Sequence, residues 1–236
     1  MLEYAAHSDL GRVRSTNEDY CLALPEIGLY LLADGMGGAK GGECASRLAV
    51  ETVADIMKKA EHRDASVLLK AVEDANLRVR DEAMRDSNLE GMGTTLVAAL
   101  NVGEEIAIAS VGDSRAYVFE NGALRPITED QTWVRDVGIP LGLDEESLKH
   151  HPMRHVLTMA IGVNTALTIR YYMVKLPPAG VLLMSSDGLH GIVDSGKIEA
   201  ILSKDGSLDA KCLELIQAAR DAGGPDNISA ILVRSV

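Results

Sequence analysis

The sequence predicts an α+β layered fold in which antiparallel sheets are covered by helices. Three observations carry that expectation. Two long segments in the first third of the chain repeat apolar residues at three- and four-residue steps, the period of one helix face. After Gly91 the chain turns instead to short extended runs that follow one another directly. Strand-like and helix-like segments also come in blocks, which favours antiparallel sheets with helix pairs over an alternating strand–helix–strand sheet. At 236 residues, with no internal repeat, low-complexity tract or linker, the chain reads as one domain over 1–236.

Taken in order, residues 20 to 34 hold the runs YCLAL and IGLYLLA around Pro25-Glu26, a strand pair ending at Asp34. From Glu43, Ala45, Leu48, Ala49, Val53, Met57 and Ala60 fall on one helical face. A second helix from about Ser66 places Leu68, Ala71, Val72, Ala75 and Val79 on its apolar side. TTLVAALNV, EEIAIASVG and RAYVFENGALRPIT read as strands, and Asn121-Gly122 marks a tight hairpin. Residues 130 to 155 lose periodicity and collect Gly, Pro, acids and three histidines, the mark of a functional loop or flap. Strands at ALTIRYYMVKL and VLLMSS, helices near 195–203 and 207–221, and the strand ISAILVRSV complete the chain.

Hydrophobic residues are 47% of the chain but aromatics only 3%, so the core must be aliphatic. The formal net charge of -12 opposes nucleic acid, which needs Lys and Arg against its phosphates, and an anionic membrane surface. No run approaches the length of a spanning helix, and the N-terminus has no signal-like apolar region. Cys21, Cys44 and Cys212 are odd in number and widely spaced, as expected of reduced thiols. A cytoplasmic monomer is the expectation.

The stretch LLADGMGGAKGGE poses the functional question, because an acid stands where a phosphate cradle wants amides and a lysine. The P-loop pattern fails, since Lys40 is followed by Gly41. The dinucleotide pattern fails too, since Gly35, Gly37 and Lys40 occupy its glycine positions. Four aspartates share a setting at junctions of apolar strands and turns: Asp34, Asp113, Asp187 and Asp226. Any one alone is an ordinary turn residue. Four that meet at the strand ends of one sheet system repel one another unless a cation lies between them. Oxygen ligands of this kind select Mg²⁺ or Mn²⁺ over zinc. Upstream, Arg14 precedes the acid pair Glu18-Asp19 and suits bidentate phosphate binding. An arginine, several aspartates and two hard metals point to hydrolysis of a phosphate ester, with a bridging water acidified for in-line attack.

Seven segments in order carry a family resemblance: GRVRSTNED, LADGMGG with its GE, MGTT, VGDSRAY, ITEDQTWV, SSDGL and GGPDN. Together they span residues 11 to 229, and the chain resembles the metal-dependent protein phosphatases of the PPM or type-2C class in their compact bacterial form. The resemblance implies a four-layer α-β-β-α sandwich, two antiparallel sheets flanked by helix pairs, with two Mg²⁺ or Mn²⁺ ions at one edge and a third in some bacterial members. It implies that Asp34 bridges the two ions and that the Gly35 carbonyl binds one of them. Asp187 and Asp226 hold the other, and Asp113 with Asp187 would hold the third, with Asp130 a weaker candidate. Glu18 would act through bound water, Asp19 from behind the ligands, and Arg14 on the substrate phosphate. The implied activity is removal of phosphate from Ser and Thr of phosphoproteins, opposing a bacterial Ser/Thr kinase. A catalytically silent phosphoprotein-binding domain and a hydrolase of small phosphoesters are the competing readings.

The chain departs from the family pattern in three places. Met36 and Ala39-Lys40 stand where some members carry a candidate proton-donating histidine, which shifts that role to water or to His151 or His155 of the flap. Gln131 replaces a histidine of many relatives, and the flap between Trp133 and His155 is short.

Overall fold

The computed structural model describes residues 2–235, and of Ala39 only the backbone. Four layers are formed, helices on either side of two packed antiparallel sheets, as the resemblance implies. Chain order begins with strand β1 (Leu2–Asp9), β2 (Asp19–Leu24) and β3 (Leu29–Met36), then helices α1 (Ala39–Lys59) and α2 (Ala65–Arg85). A run of strands follows: β4 (Gly93–Thr94), β5 (Leu96–Val102), β6 (Glu105–Val111), β7 (Arg115–Glu120) and β8 (Ala123–Pro126). After the flap, with its short helix α3 (Glu145–His150), come β9 (Arg170–Val174), β10 (Val181–Ser185), α4 (Asp187–His190), α5 (Ser195–Leu202), α6 (Leu208–Asp221) and β11 (Ile228–Ser235).

One sheet has the order β1-β11-β10-β7-β8 and the other β2-β3-β5-β6-β9, with β4 added alongside β3. The two-residue period of a strand sorts each side chain to one of two cores. Along β3, Leu29, Leu31 and Ala33 face α1 and α2, whereas Tyr30 and Leu32 face the opposing sheet. Along β11, Ile228, Ala230 and Leu232 pack under α5 and α6, while Ile231 and Val233 enter the space between the sheets. Both faces of these strands are therefore buried, which explains why they read as continuous apolar runs rather than an alternation.

The helices keep the faces that their periodicity predicts. Ala45, Ala49, Val53 and Met57 of α1 pack with Leu68, Val72, Ala75 and Val79 of α2 in one core. The Asp64 side chain caps α2 by accepting from the amides of Ser66 and Val67. At the β7–β8 turn, Asn121 and Gly122 both adopt positive φ, 51° and 79°, the pairing a two-residue hairpin requires.

Four features depart from the sequence expectation. Strand β1 was not predicted, because its Leu2–Asp9 sequence is mostly half-buried and mixes His, Glu and Ser with small residues. Only its pairing with β11 defines it. Helix α1 starts at Ala39, a turn before the first strong periodic residue. The flap is not structureless: it carries a π-helical turn at Val134–Gly138 and then α3. The four-residue α4 follows β10 at the SSDGL turn and was likewise not predicted.

Candidate metal centre

The ends of several strands from both sheets meet around a cleft of about 650 Å³. The second sheet brings Glu18 and Asp34. Asp19 sits directly opposite Asp34 in the β2–β3 register, and the Gly35 amide donates to the Glu18 carbonyl at 3.1 Å. The first sheet brings Asp187 at the end of β10 and Asp226 just before β11. Asp113 enters from the β6–β7 turn, where the chain passes from one sheet to the other. The cleft is thus lined by Glu18, Asp34, Asp113, Asp187 and Asp226, with Arg14 and Gly35 beside them.

Backbone clamps hold these acids in place. Asp34 is fixed by Thr95, whose amide donates to the Asp34 carbonyl at 2.9 Å and whose hydroxyl accepts from the Asp34 amide at 3.0 Å. The Thr94 hydroxyl adds a second bond to the same carbonyl. Asn227 ties down the N-terminal loop: its amide nitrogen donates to the carbonyls of Leu10 and Thr16, and its oxygen accepts from the Glu18 amide at 2.8 Å. Two close approaches depend on glycine. A Cβ on Gly42 would lie 1.8 Å from a Glu18 carboxylate oxygen, and one on Gly188 would lie 2.0 Å from the Asn227 carbonyl. Only hydrogen fits where α1 passes Glu18 and where Asp187 is drawn toward Asp226.

The electrostatics of the cleft are unfavourable to the metal-free carboxylates. Asp34 is pushed well above the usual carboxylate range by burial and by Asp19, Asp187, Asp113 and Asp226. Asp19 and Asp113 are each pushed up to about 7, first by burial and then by neighbouring acids. Burial also raises Glu18 and Asp187.

One oxygen of Asp19 accepts from the Ser186 hydroxyl at 2.7 Å, but the other, Oδ1, is buried without a hydrogen-bond partner. Crowded, desolvated oxygen donors with an orphaned oxygen behind them fit a hard divalent cation. Among the described residues, no three His, Cys, Asp or Glu side chains close into a ligand cluster by themselves. The donors are spread around the cleft, an arrangement that suits ions retaining water in their shells.

Arg14 donates to Asp226 at 2.8 Å, and that hydrogen bond raises its already high proton affinity. Of the flap histidines, His155 lines the cleft, whereas His151 stacks on Trp133 with ring centroids 3.9 Å apart and planes 8° from parallel. His151 is a packing residue. Asp130 is held in a two-pronged ion pair with Arg115, both contacts at 2.7 Å, and does not line the cleft. Gln131 is a structural staple. Its side chain accepts from the Gly112 amide at 2.9 Å and donates to the Thr168 carbonyl at 2.6 Å, joining the Asp113 turn to the base of the flap. Ser186, Asn227, Thr94 and Thr95 position the acids but were not assigned roles from the sequence, although MGTT, SSDGL and GGPDN contain them. The only available signal was their place in these segments, since a hydrogen bond across the fold leaves no local periodicity.

A sequence model of the family described as protein phosphatase 2C matches residues 12–232. The chain belongs to the protein phosphatase 2C family. It is 34% identical over 235 residues to the serine/threonine phosphatase stp of Listeria welshimeri, covering 96% of this chain and 93% of that one. The serine/threonine phosphatase of S. agalactiae superposes with a TM-score of 0.94 at 29% identity, covering 100% of both chains. The catalytic domain of the serine/threonine protein phosphatase PstP, in complex with two manganese ions, matches with a TM-score of 0.87 at 32% identity, over 99% of this chain and 97% of that one. As a 2C-type member, the chain is a Mg²⁺/Mn²⁺-dependent protein-serine/threonine phosphatase. Among the described residues, no helix is long and apolar enough to cross a membrane.

Proposed function

We propose that this chain removes phosphate from phosphoserine and phosphothreonine of proteins at a dinuclear Mg²⁺ or Mn²⁺ centre in the cleft, opposing a Ser/Thr kinase. The observation that carries the proposal is the meeting of Glu18, Asp34, Asp113, Asp187 and Asp226 with a single arginine in one cleft. In this reading Asp34 and the Gly35 carbonyl would help hold the ions. Asp187, Asp226 and Asp113 would complete the donor set, and Asp113 with Asp187 could hold a third ion. Divalent ions bound there would supply Lewis acidity toward the phosphoryl oxygens and a nucleophile from water at neutral pH.

The chain's own residues do the rest. Arg14 leaves Asp226 to grip the substrate phosphate with its planar fork and orient it for in-line attack. Glu18, held through its backbone by Asn227, orients water on the metal side. Asp19, anchored by Ser186, acts from behind the ligands. In the glycine turn Met36 has no proton to give, and the side chain of Ala39 lies outside the described residues. The proton for the leaving oxygen comes from water or from His155, the flap histidine lining the cleft.

The test is phosphate release from a phosphothreonine peptide with Mn²⁺, with and without chelator, for the native chain and for Asp187→Ala. Turnover is expected only for the native chain with metal. Activity that persists under chelation or in the variant would overturn the two-metal mechanism.

A further inference from the structure

Arg14 lies on the loop over residues 10–18, between β1 and β2. That loop is clamped at both roots and open at its tip. At the far root Asn227 holds the Thr16 carbonyl and the Glu18 amide. At the near root the clamp is Asp9, the last residue of β1, paired in register with Ile228 of β11. Its Oδ1 accepts from the Gly11 amide at 2.8 Å. Arg220, in the last turn of α6, donates Nη1 to both carboxylate oxygens of Asp9, at 2.6 and 2.7 Å. The Arg12 amide then donates to the Gly224 carbonyl at 2.8 Å. Between the roots, among the described residues, the backbones of Val13, Arg14 and Ser15 make no hydrogen bond, and Val13 is 70% exposed.

The near root sets where the loop meets the cleft. Gly11 has a φ of 79°, and a Cβ there would lie 2.2 Å from the Asp226 carbonyl oxygen, so the loop passes directly against the backbone of the residue that Arg14 pairs with. The bond from the Gly11 amide to Asp9 fixes the chain at this approach. Coulomb attraction between half-buried Asp9 and Arg220 contributes little by itself. Its effect is geometric: Arg220 holds the carboxylate where Oδ1 meets the Gly11 amide, a charge-assisted hydrogen bond.

We propose that Asp9, held by Arg220, is a positioning residue for Arg14: it fixes the root of the loop so that the guanidinium meets the substrate phosphate from a preset backbone. The inference rests on the phosphatase reading, in which Arg14 binds that phosphate, and adds a residue that acts through Arg14 without touching substrate. Freeing the Gly11 amide lets the loop sample more conformations, and the cost of ordering it again falls on binding of the phosphoryl group. Asp34, Asp113 and Asp187 lie on other segments, so metal loading should not follow the loop.

The experiment is steady-state kinetics on a phosphothreonine peptide at saturating Mn²⁺, with melting temperatures to confirm folding. Asp9→Ala should raise KM about three- to tenfold, the size expected for ordering a freed loop segment, and leave kcat within about twofold of native. Asp9→Asn, which keeps an oxygen for the Gly11 amide, should stay near the native KM, and Arg220→Ala should fall between the two. In an Arg14→Ala background Asp9→Ala should add nothing to KM, because its effect runs through Arg14. The Mn²⁺ concentration for half activity should be native in both Asp9 variants. A native KM in Asp9→Ala, a full additional loss in the double variant, or failure of Asp9→Asn to restore KM would overturn the positioning role while leaving the phosphatase reading intact. Where Asp9→Ala fails to fold, Arg220→Ala in the two backgrounds decides in the same way. A native KM in Arg14→Ala would overturn the phosphate-binding role of Arg14 and the inference with it, and absence of metal-dependent turnover in the native chain would overturn the phosphatase reading itself.

Discussion

Arg14 and Asp187 have separable parts in the cleft, and single substitutions should separate them. Asp187→Ala removes a carboxylate that faces Asp34 and Asp226, and should cost at least about a hundredfold in metal-dependent turnover while raising the Mn²⁺ concentration needed for half activity. Arg14→Ala leaves the metal donors in place, so the loss, roughly tenfold or more in kcat/KM, should fall mainly on KM for the phosphopeptide. Steady-state kinetics over a Mn²⁺ titration distinguishes the two. Asn227→Ala makes a different case: it is 5% exposed and strips partners from two carbonyls and the Glu18 amide at once. At about 1 kcal/mol per hydrogen bond it should destabilise the chain by about 2–3 kcal/mol, readable in a denaturant titration. This residue also marks the limit of sequence reading. That four aspartates would share one cleft was legible because their positions at strand–turn junctions recur. Asn227 was not, because its three bonds reach Leu10, Thr16 and Glu18, which lie more than two hundred residues away in sequence.

Elements repeat that contrast. Helices α1 and α2 were readable, since one face of each is buried and the other wet, and the period survives in the sequence. Strands β3 and β11 were readable as apolar runs but not as two-faced, because both faces are buried. Strand β1 lies at a sheet edge with few buried side chains, so its strand character resides in backbone pairing with β11, which residue pattern does not encode. The two-core arrangement gives a test of β3. Leu31→Ala should open a cavity under α1 and α2, whereas Leu32→Ala should open one between the sheets, each costing about 2–5 kcal/mol. Thermal unfolding of the two variants measures the cost, and a double variant measures how far the shared β3 backbone couples the two cores.

At the scale of the whole molecule, the cleft draws Asp34 from one sheet and Asp187 and Asp226 from the other, and burial and neighbouring carboxylates raise the proton affinity of Asp34 and Asp187. The pH dependence follows. A carboxyl that holds its proton more tightly folded than unfolded contributes stability below its unfolded value near 4, and loses it as pH rises through the folded value. For Asp113 the folded value is about 7. Without metal, therefore, Asp113→Asn should be more stable than the native chain at pH 8, and the gap should close as pH falls from 7 toward 4. Melting temperatures in chelator across that range check the sign. Added Mn²⁺ should reverse the order at pH 8, because the charge that weakens the metal-free fold is what the cation attracts.

The Arg14–Asp226 ion pair has one further consequence. While it persists, the guanidinium that binds phosphate in the proposed reading is occupied by the protein's own carboxylate, an internal competitor for that anion. In the proposed reading, recruitment of Asp226 to a divalent ion would withdraw that competitor, so loading of the centre and capture of the anion would be linked. Inorganic phosphate should bind weakly or not at all in chelator and measurably once Mn²⁺ is added. Calorimetric titration of phosphate with and without Mn²⁺ should measure this coupling, the same in either order of addition, and Asp226→Asn should raise phosphate affinity in chelator by freeing the arginine.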